Sequence, residues 1–391
     1  NWMKYAVQFY KYGDKKMLNR KCPICGGEHA RSLRKIHMEI PEDYHLPSAY
    51  DVVCCEQCGM VYAGTSASME DYDWYYTHCN FYGDDSKDDN TYRYEVVKDL
   101  LERYCSTESR LVDIGAGNGR FELALRDHGY QHVIGIDPSS ESVDRLVRQG
   151  IEAQIGSIYS EVSPDEQHTF DCVFLFEVAE HLLCPGIGVE HVRKLLKKDG
   201  YFIVSVLDYS QIAQDQSEIA NYFNLEHINY FSQFSLDNLM CMHGMRRVDQ
   251  KRIGCDLIHC YQYTEESEPL QKDLVTSVAV ETFFAAKQEK EQYTRDVIAK
   301  LKEQKRRIVI WGTGSYVMSL IAETELLDCE ICGFVDNNKL KQGRQMYGYT
   351  IYEPEYVLGR DVTILICSML YADAITSQIR AMGANQEIIV L

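Results

Sequence analysis

No stretch of this 391-residue chain stays apolar for the about eighteen residues a membrane helix needs, so no membrane span is expected. No signal-like apolar segment follows Asn1, which predicts a cytoplasmic protein rather than a secreted one. Positive charge is scarce: 40 Lys and Arg face 59 Asp and Glu, a net charge of −19. That balance excludes broad nucleic-acid binding but leaves room for a local basic pocket around a small anionic substrate. The 15 cysteines are odd in number and lie mostly in apolar segments. They predict a reducing compartment, one metal cluster and otherwise free thiols. No internal repeat or low-complexity tract is present. Proline and glycine are missing between Pro269 and Arg307, where the sequence turns highly charged. This predicts one long connecting helix with Val275, Val278, Phe283 and Phe284 facing inward.

What the chain does contain is an ordinary soluble composition, 45% hydrophobic and 25% charged, long enough for two or three domains. Cys22-Pro-Ile-Cys25 and Cys55-Glu-Gln-Cys58 form two matched knuckles, each followed by glycine, at Gly26 and Gly59. Four thiolates in a tetrahedron suit a structural zinc, and they leave no coordination position open for catalysis. Cys54 breaks the two-residue spacing and is not counted as a ligand. Cys255, His259 and Cys260 are explained more simply by alternation along a strand. Between about residues 92 and 265, strands at Leu111–Ile114, Val133–Ile136, Cys172–Phe176 and Tyr201–Val206 alternate with helical segments. That alternation predicts a parallel, doubly wound α/β sheet.

Leu111-Val-Asp-Ile-Gly-Ala-Gly-Asn-Gly119 reads as a buried strand breaking into a glycine turn that opens a helix. Asp137 ends the next strand, where a carboxylate can accept both vicinal hydroxyls of a ribose. The glycine spacing differs from that of a dinucleotide site. It resembles motif I of class I S-adenosylmethionine (SAM) methyltransferases. The resemblance implies a SAM site built from Asp113, Gly115, Gly117, Asn118 and Asp137. Ser157 stands where many such enzymes place an acidic residue against the adenine. Phe176, Glu177 and His181 sit at the carboxyl edge of the strand Cys172–Phe176. For His181, a cap on the following turn is an equal alternative.

Glu226-His-Ile-Asn-Tyr-Phe-Ser232 places a carboxylate beside an imidazole. Methyl transfer from a sulfonium needs a nucleophile more than an acid, so His227 is the candidate base and Glu226 its tuning partner. With these residues in view, the whole chain resembles the nucleotide-sugar C-methyltransferase family. The resemblance implies an N-terminal four-cysteine zinc module over 1–68 and a class I methyltransferase domain over 69–267. It also implies a connecting helix over 268–306 and a C-terminal Rossmann-like substrate domain over 307–391. It further implies deprotonation of carbon 3 in a 4-keto sugar, with Asn224 and Tyr230 of the matching segment expected on the substrate. One position departs: Asn224 stands where the family has tyrosine, with Tyr222 two residues earlier as a substitute. An O- or N-methyltransferase therefore stays open, as does a non-catalytic sugar-binding protein.

Tyr72, Trp74, Tyr75, Tyr76, Phe81 and Tyr82 read either as a lid, with Tyr76 and Tyr82 on the substrate, or as packing between modules. Trp311-Gly-Thr-Gly-Ser315 and Phe334-Val-Asp336 repeat the strand, turn and acid pattern. In the segment Val335–Gly343 and just after it, Lys341 and Arg344 offer charge for a diphosphate, or form a solvated basic loop. The expected partner is a nucleotide sugar, with no nucleic acid or membrane, and the chain is a monomer or homodimer.

Overall fold

The computed structural model describes residues 20–41, 44–79, 91–264 and 269–391. Phe81 and Tyr82 lie outside the described residues. The chain enters through β1 (Ala30–His37), β2 (Ala49–Cys55) and β3 (Val61–Ala63), then α1 (Met69–His78). A capping box starts α1: the Ser68 hydroxyl accepts from Asp71 N, and the Asp71 carboxylate accepts from Ser68 N at 2.7 Å. The three strands run antiparallel, with Ala30 opposite Cys55.

Strands and helices then alternate: α2 (Thr91–Tyr104), β4 (Arg110–Ile114), α3 (Arg120–Asp127), β5 (His132–Asp137), α4 (Ser140–Arg148) and β6 (Glu152–Ile155). β7 (Phe170–Phe176), α5 (Pro185–Leu195), β8 (Leu196–Leu207) and α6 (Ile219–Tyr222) follow. This part closes with β9 (Asn229–Tyr230), α7 (Gln233–Met242), β10 (Met245–Ile253) and β11 (Asp256–Tyr263). The central sheet has the order β10-β11-β8-β7-β4-β5-β6. Its strands β4 to β8 are parallel, and β11 runs antiparallel between β8 and β10. β4 and β7 are apolar runs buried on both faces, as helices on both sides of a parallel sheet require. The result is a mixed α/β fold with a Rossmann-like core.

β9 leaves this sheet. It pairs antiparallel with β3, Val61 opposite Tyr230, and completes the N-terminal sheet β1-β2-β3-β9. The segment after His227 is therefore built into the cysteine-bearing module.

The 28-residue α8 (Thr276–Glu303) leads to β12 (Arg307–Trp311), α9 (Ser315–Glu323), β13 (Glu330–Val335), β14 (Gln345–Met346) and β15 (Tyr349–Tyr352). β16 (Thr363–Ile366), α10 (Ala372–Ala381) and β17 (Ile388–Val390) end the chain. This sheet, β14-β15-β13-β12-β16-β17, is parallel except for the β14–β15 pair. The inward face of α8 corrects one expectation. Ala279, Val280, Phe283 and Phe284 are buried, whereas Val275 and Val278 are exposed. The stripe set by Val280, Phe283 and Phe284 rotates Val278 toward solvent, and Val275 precedes the first helical residue. Phe223, Phe283 and Phe284 pack as a ring cluster that joins α8 to the segment before Glu226.

Candidate active site and cysteine cluster

β4 ends in a turn whose glycines do different work. Gly115 has φ +90°, and a Cβ there would fall 2.5 Å from Val178 Cγ2. Gly119 has φ +78°, and its Cβ would meet Leu146 Cδ2 at 2.5 Å. Gly117 has φ +57° but open space around its missing Cβ, with only Gly115 O near, at 3.9 Å. Gly115 and Gly119 thus let protein pack on protein, and Gly117 leaves a cradle over the sheet edge. The Asp137 carboxylate closes that cradle, accepting from Gly117 N at 2.9 Å and from Ser139 N at 2.9 Å. Burial raises its pKa, and these amide hydrogen bonds work against the rise. Asn118 Oδ1 accepts from Arg120 N at 3.2 Å, and the Ser157 hydroxyl accepts from Tyr159 N at 3.2 Å. Asp113 lies buried beneath the turn beside Glu122, a fully buried carboxyl that the sequence reading missed. Burial and then Asp113 push Glu122 well above the usual carboxylate range.

The three glycines give a testable contrast. Gly117→Ala is expected to fold, at a cost of about 1–2 kcal/mol for left-handed backbone, while SAM affinity in calorimetry falls. Gly115→Ala and Gly119→Ala are expected to lose fold as well as binding, because added atoms strike Val178 and Leu146.

Across the same sheet edge stand two histidines. His181 ends a 3₁₀ turn at Ala179–His181 after β7, and His227 precedes β9. Their rings meet edge to face, centroids 4.9 Å apart. Tyr76 Oη lies 3.1 Å from His181 Nδ1. Tyr75 donates to Glu226 Oε1 at 2.6 Å, and Tyr72 donates to Leu225 O at 3.3 Å. Helix α1 thus meets the two histidine-bearing segments through three tyrosines, one on His181 and two on the residues just before His227.

Tyr209, just beyond β8, fixes the His227 tautomer. Its hydroxyl donates to Tyr222 O at 2.8 Å, which commits its single proton. The 3.3 Å contact between Tyr209 Oη and His227 Nδ1 therefore has the imidazole as donor. With the proton on Nδ1, the ring's basic lone pair is that of Nε2. Burial, then the neighbouring His181, lowers the His227 pKa to about 3, and burial lowers that of His181 to about 4. Both rings are neutral at pH 7.

The sign for stability follows. Above the unfolded value of 6.5 neither ring is charged in either state. Below it the unfolded chain takes up protons that the folded chain refuses. Stability is expected to fall as pH drops from about 6.5 toward 5, by up to about 1.4 kcal/mol per pH unit for each histidine. Denaturant midpoints against pH should show this slope, and the double variant His181→Gln/His227→Gln should flatten it.

Several expected site residues have other work. Phe176 faces the core, in ring contact with Phe121 and Phe174, because strand alternation turns it away from the cradle. Glu177 is exposed with φ +55° at the mouth of the turn. Tyr222 offers its carbonyl to Tyr209, and its phenol faces Asp215 and Ser217 rather than His227. Asn224 uses its side-chain oxygen on the amides of Glu226 at 2.9 Å and His227 at 2.8 Å. It is an Asx turn that shapes the loop. Tyr230 is fully buried, its hydroxyl 3.3 Å from that of Tyr50. The pairing with β3 drives it inward, into the packing of the N-terminal sheet. Lys341 Nζ lies 3.8 Å from Asp336, near the turn after β12, and Arg344 occupies the same loop.

The sulfurs of Cys22, Cys25, Cys55 and Cys58 all lie within 4.8 Å of one another. Cys22–Cys58 and Cys25–Cys55 are each 3.5 Å apart. Gly26 and Gly59 have φ +69° and +82°, the left-handed turn each knuckle needs. Cys54 points elsewhere, its thiol 3.6 Å from Gly59 O. His259 pairs with Tyr261 Oη at 2.9 Å on β11.

Residues 90–250 match the family described as Methyltransferase domain, and residues 304–390 match that described as C2185-like, N-terminal. Over 109 residues the chain is 31% identical to the ubiquinone biosynthesis O-methyltransferase of Bradyrhizobium diazoefficiens, covering 27% of this chain and 42% of that protein. Over 127 residues it is 32% identical to the uncharacterized methyltransferase YcgJ of Bacillus subtilis, covering 31% and 49%. The chain thus spans less than half the length of these relatives. A 1,6-didemethyltoxoflavin-N1-methyltransferase from Burkholderia thailandensis, solved with S-adenosylhomocysteine, covers 46% of this chain and 82% of its own, at 18% identity and TM-score 0.37. The central part of this chain is a class I SAM-dependent methyltransferase domain. Among the described residues, no helix is long and apolar enough to cross a membrane.

Proposed function

We propose that this protein transfers a methyl group from SAM to a nucleotide-activated sugar, with His227 Nε2 removing the proton that unmasks the nucleophile. The observation that carries this reading is the placing of His227 beside the methyltransferase sheet edge, its Nδ1 3.3 Å from Tyr209 Oη and its ring edge to face with that of His181. SAM, when bound, supplies an electrophilic methyl on a sulfonium. Asp137 would receive ribose hydroxyls in place of the Gly117 amide it now holds, and Gly117 leaves room for the approach. Glu226, held by Tyr75, places negative charge beside the imidazole and stabilises its protonated form. Lys341 and Arg344 would face the diphosphate from the C-terminal sheet. The four cysteines would hold a structural zinc, with no part in the chemistry.

A second reading moves the methyl to oxygen or nitrogen. It is favoured by Asn224, which offers the loop backbone an amide oxygen where the C-methyltransferase family has a phenol. The test is mass spectrometry of the enzyme incubated with labelled SAM and a panel of keto and non-keto nucleotide sugars. Carbon methylation predicts mass gain on a keto sugar, with solvent exchange of the neighbouring proton. Gain only on hydroxy or amino sugars supports the second reading. Measurable SAM binding with no gain on any of them would reject nucleotide sugars as acceptors.

A further inference from the structure

Arg20 lies two residues before the first cysteine of the cluster and is almost completely buried. Among the described residues its guanidinium meets no carboxylate; it binds main-chain carbonyls and one amide oxygen. Nη2 donates to Leu182 O at 3.2 Å and to Leu183 O at 2.7 Å. Those carbonyls immediately follow His181. Nη1 donates to Ile228 O at 3.0 Å, and Nη2 to Asn229 Oδ1 at 2.8 Å. Those groups immediately follow His227. A longer contact, Nη1 to Ala63 O at 3.4 Å, reaches β3. The same junction is braced from the other side. Asn229 Nδ2 donates to Ala179 O at 2.9 Å and Leu182 O at 2.7 Å, and Ile228 N donates to Glu180 O at 2.9 Å.

We propose that Arg20 is a positioning residue for the candidate reaction: its planar fork clamps the His181 turn to the His227 loop and so sets the distance between the two imidazoles. The proposal rests on the reading of His227 as the base. A cation is suited to the task because five donors in one rigid plane can serve carbonyls from two segments at once. A lysine has one nitrogen on a flexible stem and cannot span both. Burial strengthens the arrangement, since hydrogen bonds from a charged donor are stronger than neutral ones and no water competes for the carbonyls. The cysteine module thereby gains a purpose beyond stability. The segment that leads into it carries the residue that holds the two loops, and its third strand pairs with β9, just after His227.

The test uses the full chain with Arg20→Lys and Arg20→Met, and it needs no acceptor. Hydrogen exchange by mass spectrometry reads the amides of residues 180–184 and 226–230. Titration of ¹³C-labelled histidine by NMR reads His181 and His227, and calorimetry with SAM reads the cofactor site. Both variants are expected to speed exchange in these two segments by about tenfold to a hundredfold. The His227 titration should move up toward 6.5, while SAM affinity and the protection of β4 and β5 stay at wild-type values. Wild-type exchange and titration in Arg20→Lys would overturn the clamp, since one ammonium would then suffice. Loss of protection across β4 and β5 in both variants would also overturn it, making Arg20 a general staple of the fold. The clamp and the base assignment fail separately: His227→Gln with normal turnover removes the base, and leaves the exchange result standing as a statement about the two loops.

Discussion

His227→Gln is expected to lower turnover by about 10²- to 10⁴-fold, the usual range for removing a positioned general base, while SAM affinity stays at its wild-type value. Glutamine can still donate toward Tyr209 and the Tyr222 carbonyl, so the loop has reason to keep its shape. It cannot take a proton. Cofactor binding is expected to survive because Asp137 and the glycine turn lie on β4 and β5, whereas His227 sits on the loop before β9. Tyr209→Phe should give a smaller loss, about tenfold, because the imidazole keeps the Tyr222 backbone as a partner. The pH profile of the wild-type enzyme supplies a second readout. With His227 lowered to about 3 by burial and by His181, its protonation should leave no acid limb in kcat/KM near 6.5. An acid limb at 6.5 that persists in the variant would belong to another group. Normal turnover in His227→Gln would remove this residue from the chemistry, and single-turnover mass spectrometry with labelled SAM is the direct check.

What the sequence revealed about this site was its local chemistry. The glycine turn, the acid at Asp137 and the cysteine knuckles are each written in a few consecutive residues, because each needs particular backbone freedom or donor atoms at short spacing. Contacts between distant segments left no such trace. Arg20 meets Ile228 across 208 positions, and Tyr75 meets Glu226 across 151. Tyr209 had one usable signal: it lies just past the end of β8, at the sheet edge where ligands of α/β folds gather. Asn224 was legible in principle, since an asparagine two and three residues ahead of free amides is a common turn former. Its place in a family motif drew attention to substrate instead. Tyr230 offered less to read. A two-residue strand that defects to another sheet has no periodicity to read, so its inward direction emerges only from the pairing with β3.

Cys58→Ser is expected to cost the chain its folded N-terminal module, with metal content falling together with solubility and melting midpoint. A tetrahedral zinc with bonds of about 2.3 Å separates its sulfurs by about 3.8 Å. The four sulfurs here meet that geometry, with pairs at 3.5 Å and all within 4.8 Å. Structural zinc contributes about 10–16 kcal/mol in small zinc-finger peptides. Even a fraction of that is comparable to the roughly 5–15 kcal/mol that keeps a typical domain folded. The damage should spread along named contacts. Cys58 O accepts from Asp273 N at 2.9 Å, and a Cβ on Gly59 would fall 1.9 Å from Asp273 O, so the knuckle and Asp273 are in direct contact. The buried Asp273 carboxylate in turn accepts from Ser232 Oγ at 2.5 Å and Thr276 Oγ1 at 2.6 Å, tying the start of α7 to the start of α8. Loss of the knuckle therefore releases both helix starts and the strand pairing that carries the His227 loop. Cys54→Ser is the control: its thiol lies outside the cluster, so zinc content and melting midpoint should match the wild type. Elemental analysis of purified protein, with and without a chelator, should find one zinc per chain and a lower midpoint once it is stripped. A metal-free Cys58→Ser protein that melts like the wild type would show that packing around Asp273 suffices without the ion.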